Sequence, residues 1–146
     1  MALGKPAKAQ LEKWVKAGPT GCRVTDQKVG GEDGKYAIDF PFHGKQVTMI
    51  IEFSVGFPAK VPDMRFTTKM WHCGVDEKTG AICKAAITPW SAATGPQALC
   101  DHVSKVLADP KMCVDSMVNA AACTQFTEKR SEYDTKTKAT ATEFGH

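Results

Sequence analysis

The feature that most restricts the fold is the hydrophobic period between residues 22 and 66. Apolar and polar side chains alternate there, as they do in a half-buried β-strand, most clearly at Val47, Met49, Ile51 and Phe53. Turn sequences at 30–34 (GGEDG) and at 43–44 (HG) divide the stretch into four short segments, which are CRVTDQKV, KYAIDFPF, KQVTMIIEF and DMRFT. The pattern predicts an antiparallel, four-stranded meander.

Helical periodicity flanks this predicted sheet. KAQLEKWVKAG places Leu11, Trp14 and Val15 on one face and stops at Gly18, which predicts a short amphipathic N-terminal helix. PQALCDHVSKVLADP predicts a helix that ends at Asp109, and a last helical region is expected from about 115 to 144, thinly apolar and mostly solvated. Separate runs of strands and helices predict an α+β fold, and the length predicts a single domain, residues 1–146.

Between these regions, from residue 69 to 95, no regular period is visible. A loop this long is normally either functional or disordered. Its apolar content argues against disorder, since it includes Trp71, Ile82, Ile87 and Trp90. We therefore expect an ordered, packed functional loop.

Charge and hydropathy exclude several classes of protein. Nineteen basic and sixteen acidic residues give a formal net charge of +3, too small and dispersed for a nucleic-acid groove. Neither a signal-peptide pattern nor a run of about 18 apolar residues is present, so we expect a soluble intracellular protein with no membrane partner, in the cytoplasm, the nucleus or both. No Gly-rich phosphate loop occurs, and no cofactor is implied.

The cysteine count leaves three interpretations open. An even number of cysteines is compatible with disulfides, but a chain with its own core seldom needs them, so we expect reduced thiols. A zinc site is the sharper alternative, with the adjacent His72 and Cys73, yet no C-x-x-C occurs and no metal is expected. The six cysteines are Cys22, Cys73, Cys83, Cys100, Cys113 and Cys123.

Three spaced motifs resemble those of the ubiquitin-conjugating enzyme family. FPAKVPDMRFTTKMWHCG is similar to the family's run from Tyr/Phe-Pro-x-x-Pro-Pro to His-Pro-Asn, and GAICKAAITPWS is similar to Gly-x-Ile-Cys-Leu-x-x-Leu-x-x-x-Trp-Ser. Trp90 stands nineteen residues before Asp109-Pro110, a separation that fits the family. The resemblance covers essentially the whole chain, is strongest from 57 to 110, and implies the ubiquitin-conjugating-enzyme fold with an irregular active-site loop.

The resemblance implies three site residues. Cys83 is the thiol that accepts ubiquitin or a related modifier as a thioester, a reactive acyl carrier that splits transfer into two easier steps; Gly80 would let the loop approach closely and expose it. A buried, inert thiol is the alternative. His72 would hold the loop as a neutral ring, or act as a base for Cys83. Asp115 would orient the incoming lysine, or else cap the next helix.

The chain also departs from the family pattern. Gly74 stands where the family has an asparagine that supports the oxyanion formed when lysine attacks, and losing one such donor costs on the order of 10²–10³ in rate. Cys73 replaces the motif proline and Lys84 the leucine after the cysteine. Ala59 stands where many members carry a large ligase anchor, and 91–93 (SAA) replaces a Ser-Pro-Ala.

These observations support two main hypotheses. In the first, the chain is an enzyme that takes a ubiquitin-like modifier from an activating enzyme and passes it to a substrate lysine or a ligase. In the second, the site has drifted and the chain is a non-catalytic scaffold or cofactor, which Gly74 favours and the intact frame around Cys83 disfavours. A small thiol or metal protein is a third alternative, supported only by the cysteine content.

Overall fold

The computed structural model describes residues 4–53, 57, 59–83 and 95–146. Within them, α1 (Lys5–Ala17) precedes β1 (Arg23–Asp26), β2 (Lys35–Phe42), β3 (Lys45–Glu52) and β4 (Asp63–Phe66), and α2 (Pro96–Ala108), α3 (Ala120–Glu128) and α4 (Arg130–Phe144) follow. Short 3₁₀ turns occupy Val29–Gly31 and Pro110–Cys113. Some predictions lie outside the described residues, namely those for Lys84, Ile87, Trp90 and 91–93.

The four strands form an antiparallel sheet in the order β1-β2-β3-β4, which confirms the predicted meander. Between β2 and β3 the chain turns on His43 and Gly44, both with positive φ (49° and 77°). A two-residue turn with φ positive at both positions matches the twist of the flanking strands. It sets the register Phe42–Lys45 and Phe40–Val47, so the apolar faces of the two strands coincide.

The core lies between this face of the sheet and α2. Ile38, Phe40, Val47, Met49 and Ile51 are completely buried on the sheet side. Leu99, Val103 and Val106 meet them from α2, at the i, i+4 and i+7 positions that form one helical face. Leu11 of α1 closes the same core. Residues 70–75 of the loop, together with Ile82 and Cys83, are also buried, so the described half of the loop is packed as expected.

The expected last helical region consists of two helices, because residues 115–119 form a turn and Lys129 has non-helical backbone dihedrals (φ −138°, ψ 61°). Asn119 caps α3, since its side chain accepts a hydrogen bond from Ala122 N at 3.1 Å. On α4 only Tyr133, Thr137 and Ala141 are buried, which agrees with a mostly solvated helix. In the described part of the chain, no helix combines the length and apolarity needed to cross a membrane.

Candidate active site

Cys83 is the last described residue of the irregular loop, and its backbone is held on two sides. Its N–H donates to the carbonyl oxygen of Gly74 at 2.8 Å. Its own carbonyl oxygen lies 2.8 Å from Nε2 of His102 on α2. A carbonyl only accepts hydrogen bonds, so His102 carries its proton on Nε2. The position of Cys83 is therefore fixed relative to both the loop and α2.

The turn before Cys83 depends on Asp76 and Gly80. The Asp76 carboxylate accepts hydrogen bonds from the backbone N–H groups of Lys78 and Thr79, at 2.8 and 2.9 Å. Gly80 has φ 75° and packs directly against β4, so that a Cβ atom would collide with the carbonyl oxygen of Phe66. A side chain is excluded at this position both by the left-handed backbone and by the close approach.

The thiol of Cys83 is only 1% exposed, so the expectation that Gly80 helps to expose it is wrong. Gly80 instead docks the loop onto β4. The Cys83 S–H donates to Ser116 Oγ at 3.4 Å, and Cys113 lies beside it. Burial, and then a hydrogen bond with Cys83, raises the pKa of the Cys113 thiol to about 12. We call the side chains of Cys83, Cys113 and Ser116 the thiol cluster.

Gly74 lies against the thiol cluster and has no space for a side chain. A Cβ atom at this position would lie 2.7 Å from Cys113 Sγ and 2.9 Å from Cγ1 of Val106, both on buried residues. Real Cβ contacts of this kind essentially never occur below 3.0 Å. The packing of the site therefore leaves no room at position 74 for the asparagine side chain of the family.

His72 is completely buried and lies within the loop. Its Nδ1 accepts a hydrogen bond from Gly74 N at 2.9 Å, and its ring contacts the edge of Phe42. Burial lowers the pKa of His72 to about 4, against the opposing effect of the Leu107 and Val106 backbone. The ring is therefore neutral at physiological pH and bonded to the loop, and the role of His72 in holding the loop stays a prediction.

Asp115 is exposed in the turn between the second 3₁₀ turn and α3. It does not cap α3, because that position belongs to Asn119. Asp115 immediately precedes Ser116, whose hydroxyl reaches the thiol of Cys83. The structure thus brings the segment carrying Asp115 to the thiol.

A disulfide joins Cys73 to Cys123 of α3, with Cα atoms 4.6 Å apart, so the expectation of reduced thiols is wrong for this pair. Sequence gave no indication of it because the two cysteines are 50 residues apart. The same part of the loop is bonded to α4, where Thr137 Oγ1 donates to Trp71 O at 2.6 Å. Among the described residues no cluster of potential metal ligands exists, and Cys73 is occupied by the disulfide.

Sequence reasoning missed Ser116 and His102. Nothing in the sequence marks Ser116, whose role depends on tertiary contacts. A signal for His102 exists, because it lies three residues after Leu99 and four before Val106, on the buried face of α2. A histidine at such a position needs a partner inside the protein, and here the partner is the backbone of Cys83.

Comparisons with known proteins agree with the motifs. The family model described as "Ubiquitin-conjugating enzyme" matches residues 9–141. A Dictyostelium discoideum protein named ubiquitin conjugating enzyme E2 B is 26% identical over 147 residues, covering 94% of this chain and 95% of that protein. Ubiquitin-conjugating enzyme E2 3 of Arabidopsis thaliana is 30% identical over 99 residues, covering 67% of this chain and 64% of its own length.

Solved structures match over nearly the whole chain. The E2 domain of a ubiquitin conjugating enzyme from Toxoplasma gondii superposes with a TM-score of 0.82 at 25% identity, covering 95% of this chain and 99% of the other. A Plasmodium yoelii structure titled as a putative ubiquitin conjugating enzyme has a TM-score of 0.81 at 20% identity and covers 97% of each chain. The predicted fold is confirmed.

Proposed function

Because this chain belongs to the ubiquitin-conjugating enzyme family, we propose that Cys83 accepts ubiquitin or a ubiquitin-like modifier as a thioester from an activating enzyme. The modifier then passes to a substrate lysine or to a ligase. The observation that carries the proposal is the geometry of Cys83, whose backbone is fixed by Gly74 and His102 and whose thiol contacts the turn 114–119. A fixed nucleophile is what acyl transfer requires.

Both steps exchange one acyl bond for another. In loading, the Cys83 sulfur forms a bond to the modifier's terminal carbonyl carbon, and the carbon–sulfur bond to the activating enzyme breaks; the proton of Cys83 leaves with the departing thiolate. In discharge, a lysine nitrogen forms the new bond, the bond to Cys83 breaks, and a proton from the amine returns to the Cys83 sulfur. Asp115, exposed beside Ser116, orients the lysine and takes up the proton that its ammonium group loses before the neutral amine attacks.

Exposed residues of α1 and of the segment before β4 supply the proposed partner surfaces. The basic face proposed for the activating enzyme lies on α1 and consists of four exposed lysines, Lys5, Lys8, Lys13 and Lys16. Ala59 is exposed where a large anchor would serve a ligase. A contact without its anchor is weak, so we propose a dedicated ligase in place of common ones.

A second function is favoured by one observation. The thiol of Cys83 is 1% exposed, and a buried thiol reaches no partner until the residues around it move. Together with the glycine at position 74, this burial supports a scaffold that keeps the fold and no longer carries the modifier. The two functions differ in whether a thioester forms.

A loading assay separates them. The protein is incubated with ATP, Mg²⁺, ubiquitin and a ubiquitin-activating enzyme, and is run on a gel without reductant. The enzyme proposal expects a band heavier by one modifier that reductant removes. Cys83→Ala should abolish the band, and Cys100→Ala should retain it, because Cys100 is an equally buried thiol on α2. No band with ubiquitin, nor with ubiquitin-like modifiers and their own activating enzymes, would refute the enzyme proposal and favour the scaffold.

A further inference from the structure

We propose that the Ser116 hydroxyl supplies the hydrogen bond to the oxyanion that the family's asparagine cannot supply in this chain. The inference rests on the proposed function of Cys83. Its starting point is a missing donor: position 74 holds a glycine, and a Cβ atom there would lie 2.7 Å from Cys113 Sγ. Another group must therefore stabilise the negative charge if lysine attack is to be fast.

Among the residues that the structure describes, Ser116 carries a hydroxyl in contact with the reacting atom. Its Oγ lies 3.4 Å from the Sγ of Cys83. The acyl oxygen of a thioester is two bonds away from the sulfur, so a hydroxyl touching the sulfur can also reach that oxygen. Ser116 is exposed, so an amine in solvent can reach its side chain.

The backbone around Ser116 holds it in this place. Ser116 N donates to Cys113 O at 3.1 Å, and Asn119 N donates to Cys73 O at 3.3 Å, which ties both ends of the turn to the site. Between them Met117 adopts φ 52° and is 49% exposed. A non-glycine residue in the left-handed region is strained, and such strain concentrates at functional sites.

The hydroxyl changes its role during the reaction. In the free protein it accepts the hydrogen bond of the Cys83 thiol. Once the sulfur is acylated, that proton is gone and the hydroxyl is free to donate. When the amine adds to the carbonyl carbon, the π electron pair moves to oxygen and Ser116 O–H donates to it; collapse restores the double bond and expels the sulfur. Ser116 is neither consumed nor ionised.

Cys113 is a poorer candidate for this role, although it lies in the same cluster. A thiol is a weak hydrogen-bond donor compared with a hydroxyl. Its side chain is completely buried against Gly74, whereas Ser116 is exposed. Cys113 instead fills the space that an asparagine side chain would need.

The test measures discharge separately from loading. The protein is loaded with ubiquitin to completion, EDTA stops the activating enzyme, and free lysine or hydroxylamine is added while the thioester is followed on non-reducing gels. Ser116→Ala should slow discharge on the order of 10–10²-fold, somewhat below the effect of a fully buried oxyanion donor because Ser116 is exposed. Ser116→Thr should keep most of the rate, and Ser131→Ala, an exposed serine on α4, should match the wild type.

The two nucleophiles distinguish the oxyanion role from other roles. An oxyanion donor accelerates both reactions, and it changes the rate at saturating nucleophile more than the half-saturating concentration. If Ser116→Ala slows discharge to lysine but not to hydroxylamine, Ser116 acts on the lysine amine and the proposal is overturned. Equal discharge rates for Ser116→Ala and the wild type would also overturn it. A wild type that loads no modifier would refute the proposed function and this inference together, whereas a variant that loads and discharges normally refutes only the inference.

Discussion

Replacing Gly74 with alanine should destabilise the protein, although Gly→Ala usually does the opposite where φ is negative. The new methyl group would lie 2.7 Å from Cys113 Sγ and 2.9 Å from Val106 Cγ1. Both residues are completely buried, so neither can swing into solvent. Gly74 is also tied by two hydrogen bonds, to His72 Nδ1 and from Cys83 N, which oppose a shift of its backbone.

The expected magnitude follows from two opposing effects. Overpacking a buried site costs about 1–3 kcal/mol, and the reduced entropy of the unfolded chain returns about 0.4–1 kcal/mol. From the middle of each range, the net loss is about 1.3 kcal/mol in the free energy of unfolding. With a urea m value of roughly 2 kcal/mol/M, the midpoint should fall by about 0.6–0.7 M.

Urea unfolding followed by tryptophan fluorescence measures this shift, and a double-mutant cycle identifies its cause. The double variant Gly74→Ala/Cys113→Ala should lose less free energy of unfolding than the sum of the losses of the two single variants, by about 0.5 kcal/mol or more. Removing the Cys113 sulfur should relieve only part of the destabilisation, because the new methyl group still lies too close to Val106 Cγ1. A midpoint for Gly74→Ala at or above the wild-type value would refute the steric argument. By the same steric argument Gly74→Asn, which restores the asparagine of the family motif, should weaken loading of the modifier.

Two further predictions concern His72 and the disulfide. Burial lowers the pKa of His72 to about 4, so between pH 6.5 and 4 the unfolded chain binds a proton that the folded chain does not. The free energy of unfolding is therefore highest above about pH 6.5 and falls by up to about 3 kcal/mol as the pH decreases from 6.5 to 4. His72→Asn should flatten this dependence in urea unfolding, and parallel curves would contradict it. Reductant should lower the wild-type free energy of unfolding by about 2–4 kcal/mol, since the disulfide closes a long loop, and should leave Cys73→Ala/Cys123→Ala unchanged; equal wild-type midpoints would contradict a stabilising disulfide.

Local sequence patterns were sufficient to predict the sheet. The alternation in β3 places Val47, Met49 and Ile51 on one face, and the turn at His43-Gly44 sets their register against β2. These are interactions between near neighbours in the chain. The break between α3 and α4 at Lys129 was not predictable from proline or glycine, since the chain has neither there. Thr137 was missed in α4 because it is polar, although its hydroxyl bonds to Trp71 O and its side chain is buried.

The site was predictable only as far as its motif. The frame around Cys83 marks it as the candidate nucleophile, but its side-chain contacts are with Cys113 and Ser116, which lie about thirty residues further along the chain. His102 contacts Cys83 from α2, and the disulfide brings Cys123 to the loop from α3. Such contacts follow from how helices pack onto the loop, and no periodicity in the sequence encodes them.

The pairing of two thiols in the cluster raises the question of acyl migration. A modifier carried on Cys83, as we propose, would sit beside Cys113, and transfer between adjacent sulfurs is a nearly isoenergetic exchange that needs only a thiolate as acceptor. With the pKa of Cys113 raised to about 12, chiefly by burial, only about one molecule in 10⁵ carries that thiolate at neutral pH. A hydrogen bond with Cys83 is the second cause of the raised pKa. Burial is the larger cause, so we expect a modifier carried on Cys83 to stay on that sulfur, with Cys113 contributing only to packing.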